Sequence, residues 1–135
     1  MDQKLRNFYL ETQVRNAAPG QLLIMLYDGL IDQAELADAE ISLADKAKDP
    51  SLAANLIARC INIMTELNSS LRPGVDPELC GTLCSLYAFF AKEFSEALEK
   101  RDPKKIQTIL PLIRELRGAW SQAYRRAGQT QMQVA

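Results

Sequence analysis

The chain has 135 residues, a length typical of one globular domain, and its formal net charge is -1. Its 16 basic and 17 acidic residues give no excess of positive charge, so no nucleic-acid partner is expected. The content of 47% hydrophobic and 24% charged residues is that of a domain that folds without disulfides or metals.

Histidine is absent from the sequence, and this absence excludes several classes of enzyme. No Ser-His or Cys-His dyad, HExxH zinc site or Glu-x-x-His di-iron motif can be built without it. The three cysteines are an odd number without a secretory framework, which predicts reduced thiols in a cytosolic protein. Cys80 and Cys84 lie one helical turn apart, but no second ligand pair completes a zinc site, so we interpret them as packing residues. We expect neither metal nor cofactor.

The first 18 residues carry five charges and no apolar core of a signal peptide. No uninterrupted apolar run exceeds six residues, which is far too short to span a bilayer. We therefore expect neither a secretory signal nor a membrane span.

Prolines mark the expected helix starts. An aspartate before a proline can cap the first helical turn, and proline fits the first helical position because its missing N–H has no partner there anyway. Three such pairs occur, Asp49-Pro50, Asp76-Pro77 and Asp102-Pro103, and Pro19 supplies a fourth start. The sequence thus predicts helices at about 19–47, 50–72, 77–101 and 103–127.

Apolar residues spaced three and four apart support each helix, as expected for the buried stripe of a bundle. The four predicted stripes are Leu23, Tyr27, Leu30, Ala34, Ala37, Ile41 and Ala44; Ala53, Ile57, Cys60, Met64, Leu67 and Leu71; Cys80, Leu83, Tyr87, Phe90, Phe94 and Ala97; and Ile106, Ile109, Ile113, Leu116, Trp120 and Ala123.

Short connections between long helices predict an all-α fold, an antiparallel up-down four-helix bundle over residues 19–127. Residues 1–18 form a separate N-terminal segment in which we expect a short, loosely attached helix. Residues 128–135 have little to bury and are expected to fray.

Three helices carry a second apolar line beside the first. A wide core stripe explains such a line, and so does an exposed groove for an amphipathic helix or an extended peptide. Met25 and Gly29 favour the groove, since methionine adapts to varied partners and glycine permits close approach. The second line comprises Leu22, Met25, Gly29, Leu36 and Leu43; Leu52, Leu56 and Ile63; and Leu79, Leu86 and Phe89.

Several motifs along the chain resemble those of the flagellin-specific export chaperone family, known as FliS. Residues 18–22, Ala-Pro-Gly-Gln-Leu, followed by Met-Leu-Tyr-Asp-Gly at 25–29, resemble the opening of that family's main bundle. Each motif is weak alone, but the ordered set over about residues 8–124 is specific. The other matching positions are Tyr9 and Val14, Asn62-Ile63, Glu66-Leu67-Asn68, Leu71, Leu86-Tyr87, Leu116-Arg117 and Ala119-Trp120.

The resemblance implies a non-catalytic cytosolic chaperone that binds the disordered C-terminal region of flagellin, one to one. It further implies that the bound flagellin cannot polymerise prematurely and is delivered to the flagellar type III export gate; a co-chaperone is left open. The residues expected to contact flagellin are Tyr9, Leu22, Met25, Gly29, Leu56, Asn62, Ile63 and Asn68.

Tyr9 has two interpretations. It pins the N-terminal segment to the bundle as a plug that flagellin displaces, or it contacts flagellin directly. The chain also departs from the family at Ala18, where a capping Ser or Thr is common, and at the turn 72–77, which lacks the usual Gly-Gly-Glu-Ile-Ala pattern.

Charge is unevenly distributed between two of the helices. Residues 19–48 hold six acids and two bases, whereas residues 103–127 hold six bases and one acid. We interpret this as pairing between adjacent helices, with a docking patch for an acidic partner as the alternative. A bundle hydrolase is disfavoured because the acids of the first helix do not recur on the others. A helical adaptor for another secretion component remains the rival function.

Overall fold

The structure, a computed structural model, describes residues 19–46, 49–74 and 76–134. Within these ranges the chain is all-helical and contains no strand, which confirms the predicted all-α class. The predicted N-terminal helix lies outside the described residues. The four helices are α1 (Pro19–Ser42), α2 (Pro50–Ser69), α3 (Pro77–Glu99) and α4 (Lys104–Val134), and a 3-10 turn (Ala44–Lys46) follows α1.

Aspartate caps start three of the helices, as predicted. The Asp49 carboxylate accepts a hydrogen bond from the Ser51 backbone N–H at 3.0 Å, and the Asp76 carboxylate accepts one from the Leu79 N–H at 3.0 Å. Asp102 accepts the Lys104 N–H at 3.1 Å. Each carboxylate satisfies an N–H that the first helical turn leaves without an intrahelical partner.

The helix ends differ more from the predictions. The first helix ends at Ser42 rather than at 47, and Ala44 takes a φ of 51°, a left-handed conformation that a helix cannot continue through. The last helix continues to Val134 rather than ending at 127, and it contains Pro111. Pro111 is exposed, so the carbonyl that loses its intrahelical donor lies on the solvent side.

The core follows the predicted stripes through the middle of each helix. At the ends of the stripes, Leu23, Ala53 and Leu116 are only partly buried, and Ala44 and Ala123 are exposed, because fewer helices surround these positions. Two further leucines are buried that the stripes did not include, Leu56 and Leu110.

The helices pack as a closed ring in which α1 contacts α2 and α4, and α3 contacts the same two helices. Polar contacts join α1 to α4, with the Gln107 amide and the Arg114 and Arg117 guanidiniums donating to acids of α1. The pairs are Gln107 with Asp38 at 2.9 Å, Arg114 with Glu35 at 2.6 Å and Arg117 with Asp28 at 2.8 Å.

Two conclusions follow from these pairs. The predicted charge pairing between the first and last helices is confirmed. Along these pairs, the positions descend on α1 as they ascend on α4.

A buried layer of hydroxyl and indole groups joins three helices. The hydroxyls of Tyr27 on α1 and Tyr87 on α3 lie 2.6 Å apart, and the Trp120 indole N–H of α4 donates to the Tyr27 hydroxyl at 3.3 Å. Both tyrosines are buried, and burial raises the pKa of each phenol, so both stay neutral. The layer satisfies polar groups that would otherwise be costly inside a core.

We expect Tyr87→Phe to lower the free energy of unfolding by about 1 kcal/mol, because the Tyr27 hydroxyl loses a buried partner. Urea unfolding followed by circular dichroism measures this. Tyr124→Phe is the matched control: Tyr124 is exposed, and removal of its hydroxyl should change stability by less than about 0.5 kcal/mol. Equal effects of the two substitutions would contradict the structural role given to the hydroxyl layer.

Candidate functional site

The candidate site is the surface along the junction of α1 and α2, which we call the α1/α2 face. Near its middle the two helices approach at Gly29, where an added Cβ would lie 3.7 Å from the Cδ1 atom of Ile63. At one end, Leu22 and Leu26 face residues 69–72 across a groove. At the other end, Glu40, Ile41 and Ala44 line a small cavity with Asp49 and Ala53, and Leu98 and Arg101 complete its lining.

These three contacts fix the register of the two helices. Positions that ascend along α1 meet positions that descend along α2. The same register determines which other side chains share the α1/α2 face.

The groove at the Leu22 end has a volume of about 340 Å³. Three leucines of α1 line it, opposite Ser69 and Ser70. The Ser69 hydroxyl donates to the Thr65 carbonyl at 2.9 Å, and the Ser70 hydroxyl donates to the Leu67 carbonyl at 2.7 Å. Because both serine hydroxyl protons are used in these bonds, the groove offers leucine surface together with the Arg72 side chain. Its volume suits a few apolar side chains of a partner.

A second groove of about 180 Å³ lies between α2 and α3. Asn68 and Cys84 line it, together with Met64 and Tyr87 from the edge of the core. Asn68 is therefore separated from the α1/α2 face by the width of α2.

The structure brings together half of the predicted contact residues. Leu22, Met25, Gly29 and Ile63 are all partly buried, and they lie on α1 and α2 beside their junction. Their partial exposure leaves apolar surface available to a partner.

The other four predicted contact residues lie elsewhere. Asn62 is exposed on α2, Asn68 lines the second groove, and Tyr9 lies outside the described residues. Leu56 is only 4% exposed and belongs to the core, so it offers a partner almost no surface. Its place on the second apolar line reflects the wide buried stripe of α2.

Sequence reasoning missed two polar residues of the α1/α2 face, Gln33 and Arg59. Gln33 is 6% exposed, and its Oε1 atom has no hydrogen-bond partner among the described residues. Arg59 is half-buried and makes no ion pair or hydrogen bond within those same ranges. Their spacing could have identified them. Gln33 follows Gly29 by one helical turn and Arg59 precedes Ile63 by one turn, so each lies on the same side of its helix as a predicted contact residue.

The cysteines show no sign of shared chemistry. Cys60 is buried, and desolvation raises the pKa of its thiol to about 12, so the group stays neutral and packs as a small apolar side chain. Cys80 is half-buried and Cys84 is exposed. Over residues 19–46, 49–74 and 76–134, no group of three His, Cys, Asp or Glu side chains is placed to hold a metal ion.

The fold and the grooves define a class: a helical bundle with a closed apolar core and with two surface grooves at helix junctions, each able to take a few side chains of a partner. None of the described helices has both the length and the hydropathy needed to cross a bilayer. Residues 1–127 match the family described as Flagellar protein FliS, and the chain belongs to this family.

Curated relatives agree with the family assignment. The chain is 30% identical over 115 residues to the Flagellar secretion chaperone FliS of Bacillus subtilis (strain 168), covering 85% of this chain and 82% of the relative. It is 23% identical over 120 residues to the protein of the same name from Vibrio cholerae, covering 89% and 85%. It is 27% identical over 117 residues to that of Salmonella typhimurium, covering 84% and 82%. The resemblance inferred from the motifs is confirmed.

Leu56→Ala should lower the free energy of unfolding by about 3 kcal/mol, because it removes buried methyl groups and leaves a cavity. Leu36→Ala on α1 is the control, since Leu36 is 54% exposed and its truncation should cost less than about 1 kcal/mol. Chemical unfolding of both variants measures the difference. Comparable losses would place Leu56 on the surface instead.

Gln33→Met should raise the free energy of unfolding by about 1 kcal/mol, because it replaces a buried amide without a partner by an apolar side chain of similar size. Gln107→Met is the matched control: its amide donates to Asp38, so this variant should gain nothing. Thermal and urea unfolding provide the comparison. A destabilised Gln33→Met variant would show that the amide supports the fold.

Proposed function

We propose that this protein is a cytosolic, non-catalytic chaperone that binds the C-terminal region of flagellin in a one-to-one complex. In this proposal it prevents premature polymerisation of flagellin and delivers it to the flagellar type III export gate. The four helices act as an antiparallel up-down bundle that presents its grooves to the client. The observation that carries the proposal is the half-buried apolar surface of the α1/α2 face in a chain whose relatives are named flagellar secretion chaperones.

The physical demand of the client supports this function. A disordered segment loses conformational entropy when it binds, so it needs a long apolar surface to compensate. The 24 residues of α1 extend over about 36 Å, enough for several turns of a bound helix. The Leu22 groove then provides a place where a few apolar side chains of the client pack.

We propose that Leu22, Met25 and Ile63 supply apolar contacts and that Gly29 lets the client backbone approach closely. Asn68 contacts a part of the client that has passed around α2 into the second groove. Exposed Asn62 offers its amide on the same helix as Ile63 and Asn68.

Leu56 and Tyr9, the remaining predicted contact residues, have other roles in this proposal. Leu56 supports the α1/α2 face from the core and makes no direct contact. Tyr9 keeps both of its interpretations, as part of a displaceable plug or as a contact.

Three of the five acids of α1 support a role without catalysis. Glu35 and Asp28 form ion pairs with arginines of α4, and Asp38 accepts from Gln107. These carboxylates are used at a helix junction, whereas a catalytic carboxylate pair would converge on a shared cleft. The alternative of a helical adaptor uses the same grooves and differs only in its client.

Calorimetric titration with the last fifty or so residues of flagellin from the same organism tests the proposal. We expect one-to-one binding, a gain of helical circular dichroism and a negative heat-capacity change. Met25→Asp should weaken binding at least about tenfold, because it places a charge on the apolar α1/α2 face.

Leu112→Asp is the control for this experiment. Leu112 is 41% exposed on α4, which packs mainly against α1 and α3, so the substitution adds the same charge away from the α1/α2 face. This variant should bind within about twofold of wild type. No binding by the wild-type bundle would reject flagellin as the client, and equal losses in both variants would reject the α1/α2 face as the site.

A further inference from the structure

The α1/α2 face contains a polar position between apolar ends. Leu22 and Met25 lie toward one end, and Leu36 lies toward the other. Between them the register places Gln33 of α1 opposite Arg59 of α2, one turn from the contact of Gly29 with Ile63.

Both polar side chains lack partners within the described part of the chain. The Gln33 Oε1 atom is enclosed and accepts no hydrogen bond, and Arg59 is half-buried without an acid. A buried acceptor and a partly desolvated cation both raise the free energy of the folded protein without a client. Neither group replaces the hydrogen bonds that it makes with water in the unfolded chain.

The acids of α1 do not neutralise Arg59. Asp28 and Glu35 pair with α4, on the other side of α1, and Asp38 accepts from Gln107 there. The two remaining acids of α1, Asp32 and Glu40, form no ion pair with Arg59. Asp32 is exposed, and Glu40 lies almost two turns from Gln33, at the cavity with Asp49. Glu66 lies almost two turns from Arg59 on α2 and is exposed. The positive charge on the α1/α2 face is thus left for a group from outside the bundle.

We propose that Arg59 and Gln33 form a polar anchor that binds one carboxylate on the apolar side of a client helix. This inference rests on the proposed function and names the chemistry that the α1/α2 face selects. One edge of the Arg59 guanidinium donates to the carboxylate, and a remaining N–H donates to Gln33 Oε1. The planar group has five N–H donors, so it can serve both acceptors at once.

The anchor also predicts the sequence pattern of the client helix. An Asp or Glu lies within its apolar stripe. Large apolar residues lie about one turn away on the side of Leu36, and about two and three turns away on the side of Met25 and Leu22. Because the carboxylate is bound at a fixed position, it sets the register of the client along α1. Apolar contacts alone would allow the helix to slide by a turn.

Binding of the C-terminal flagellin segment to Arg59→Met, to Gln33→Met and to wild type tests the anchor. We expect Arg59→Met to weaken binding about tenfold and to reduce its salt dependence, while the bundle stays folded. Gln33→Met should weaken binding several-fold although it stabilises the free protein. Arg125→Met is the control: Arg125 is exposed on α4, and its loss should change affinity less than about twofold.

Replacing each Asp and Glu of the segment singly by its amide identifies the carboxylate. One replacement should lose as much affinity as Arg59→Met and should have no further effect in that variant. The anchor would be overturned if Arg59→Met bound the segment with wild-type affinity. It would also be overturned if no single amide replacement reproduced the loss of affinity. Either result would leave the chaperone proposal standing. Failure of the wild type to bind the segment would overturn both.

Discussion

The rotation of α1 about its own axis is the constraint on which the rest of the structure depends. It is set by the Tyr27 hydroxyl, which must meet Tyr87 and Trp120 inside the core because a buried hydroxyl without partners is costly. Once Tyr27 points inward, helical geometry turns Asp28 toward α4 and leaves Met25 and Gly29 beside α2. One buried polar layer therefore determines which edge of α1 carries ion pairs and which edge carries apolar surface.

The two edges of α1 have different roles. The edge toward α4 favours one register of folding, and the edge toward α2 leaves surface available to a partner. Toward α4, charges of opposite sign meet on exposed surface, where each pair adds little stability but favours one register of the two helices. Toward α2, Gly29 lies against the end of the Ile63 side chain, and apolar surface stays partly exposed beside it. Among the described residues on that side, the Gln33 Oε1 atom and the Arg59 guanidinium have no partner.

Much of the fold could be predicted because its signals are local. An aspartate before a proline caps the turn that follows it, and apolar spacing along a single helix identifies the core through Tyr27, Phe90 and Ile109. The end of α1 could not be predicted in this way. Ala44 adopts a left-handed conformation there, and alanine, unlike glycine or asparagine, does not indicate this conformation in a sequence. The burial of Leu56 was missed for another reason: whether a second apolar line is core or surface depends on the neighbouring helices, which spacing along one helix does not specify. That Gln33 and Arg59 lack partners can likewise be recognised only when the neighbouring helices are placed beside them.

Trp120 is the only tryptophan in the chain, and its indole N–H donates to Tyr27 at the junction of α1 and α4. The emission colour and intensity of an indole depend on its hydrogen bonding and on contact with water. The protein thus carries a natural optical reporter of the closure of this junction. A client that binds along α1 without disturbing the α4 side will leave the emission of Trp120 unchanged, whereas a client that wedges the two helices apart will shift it to longer wavelength.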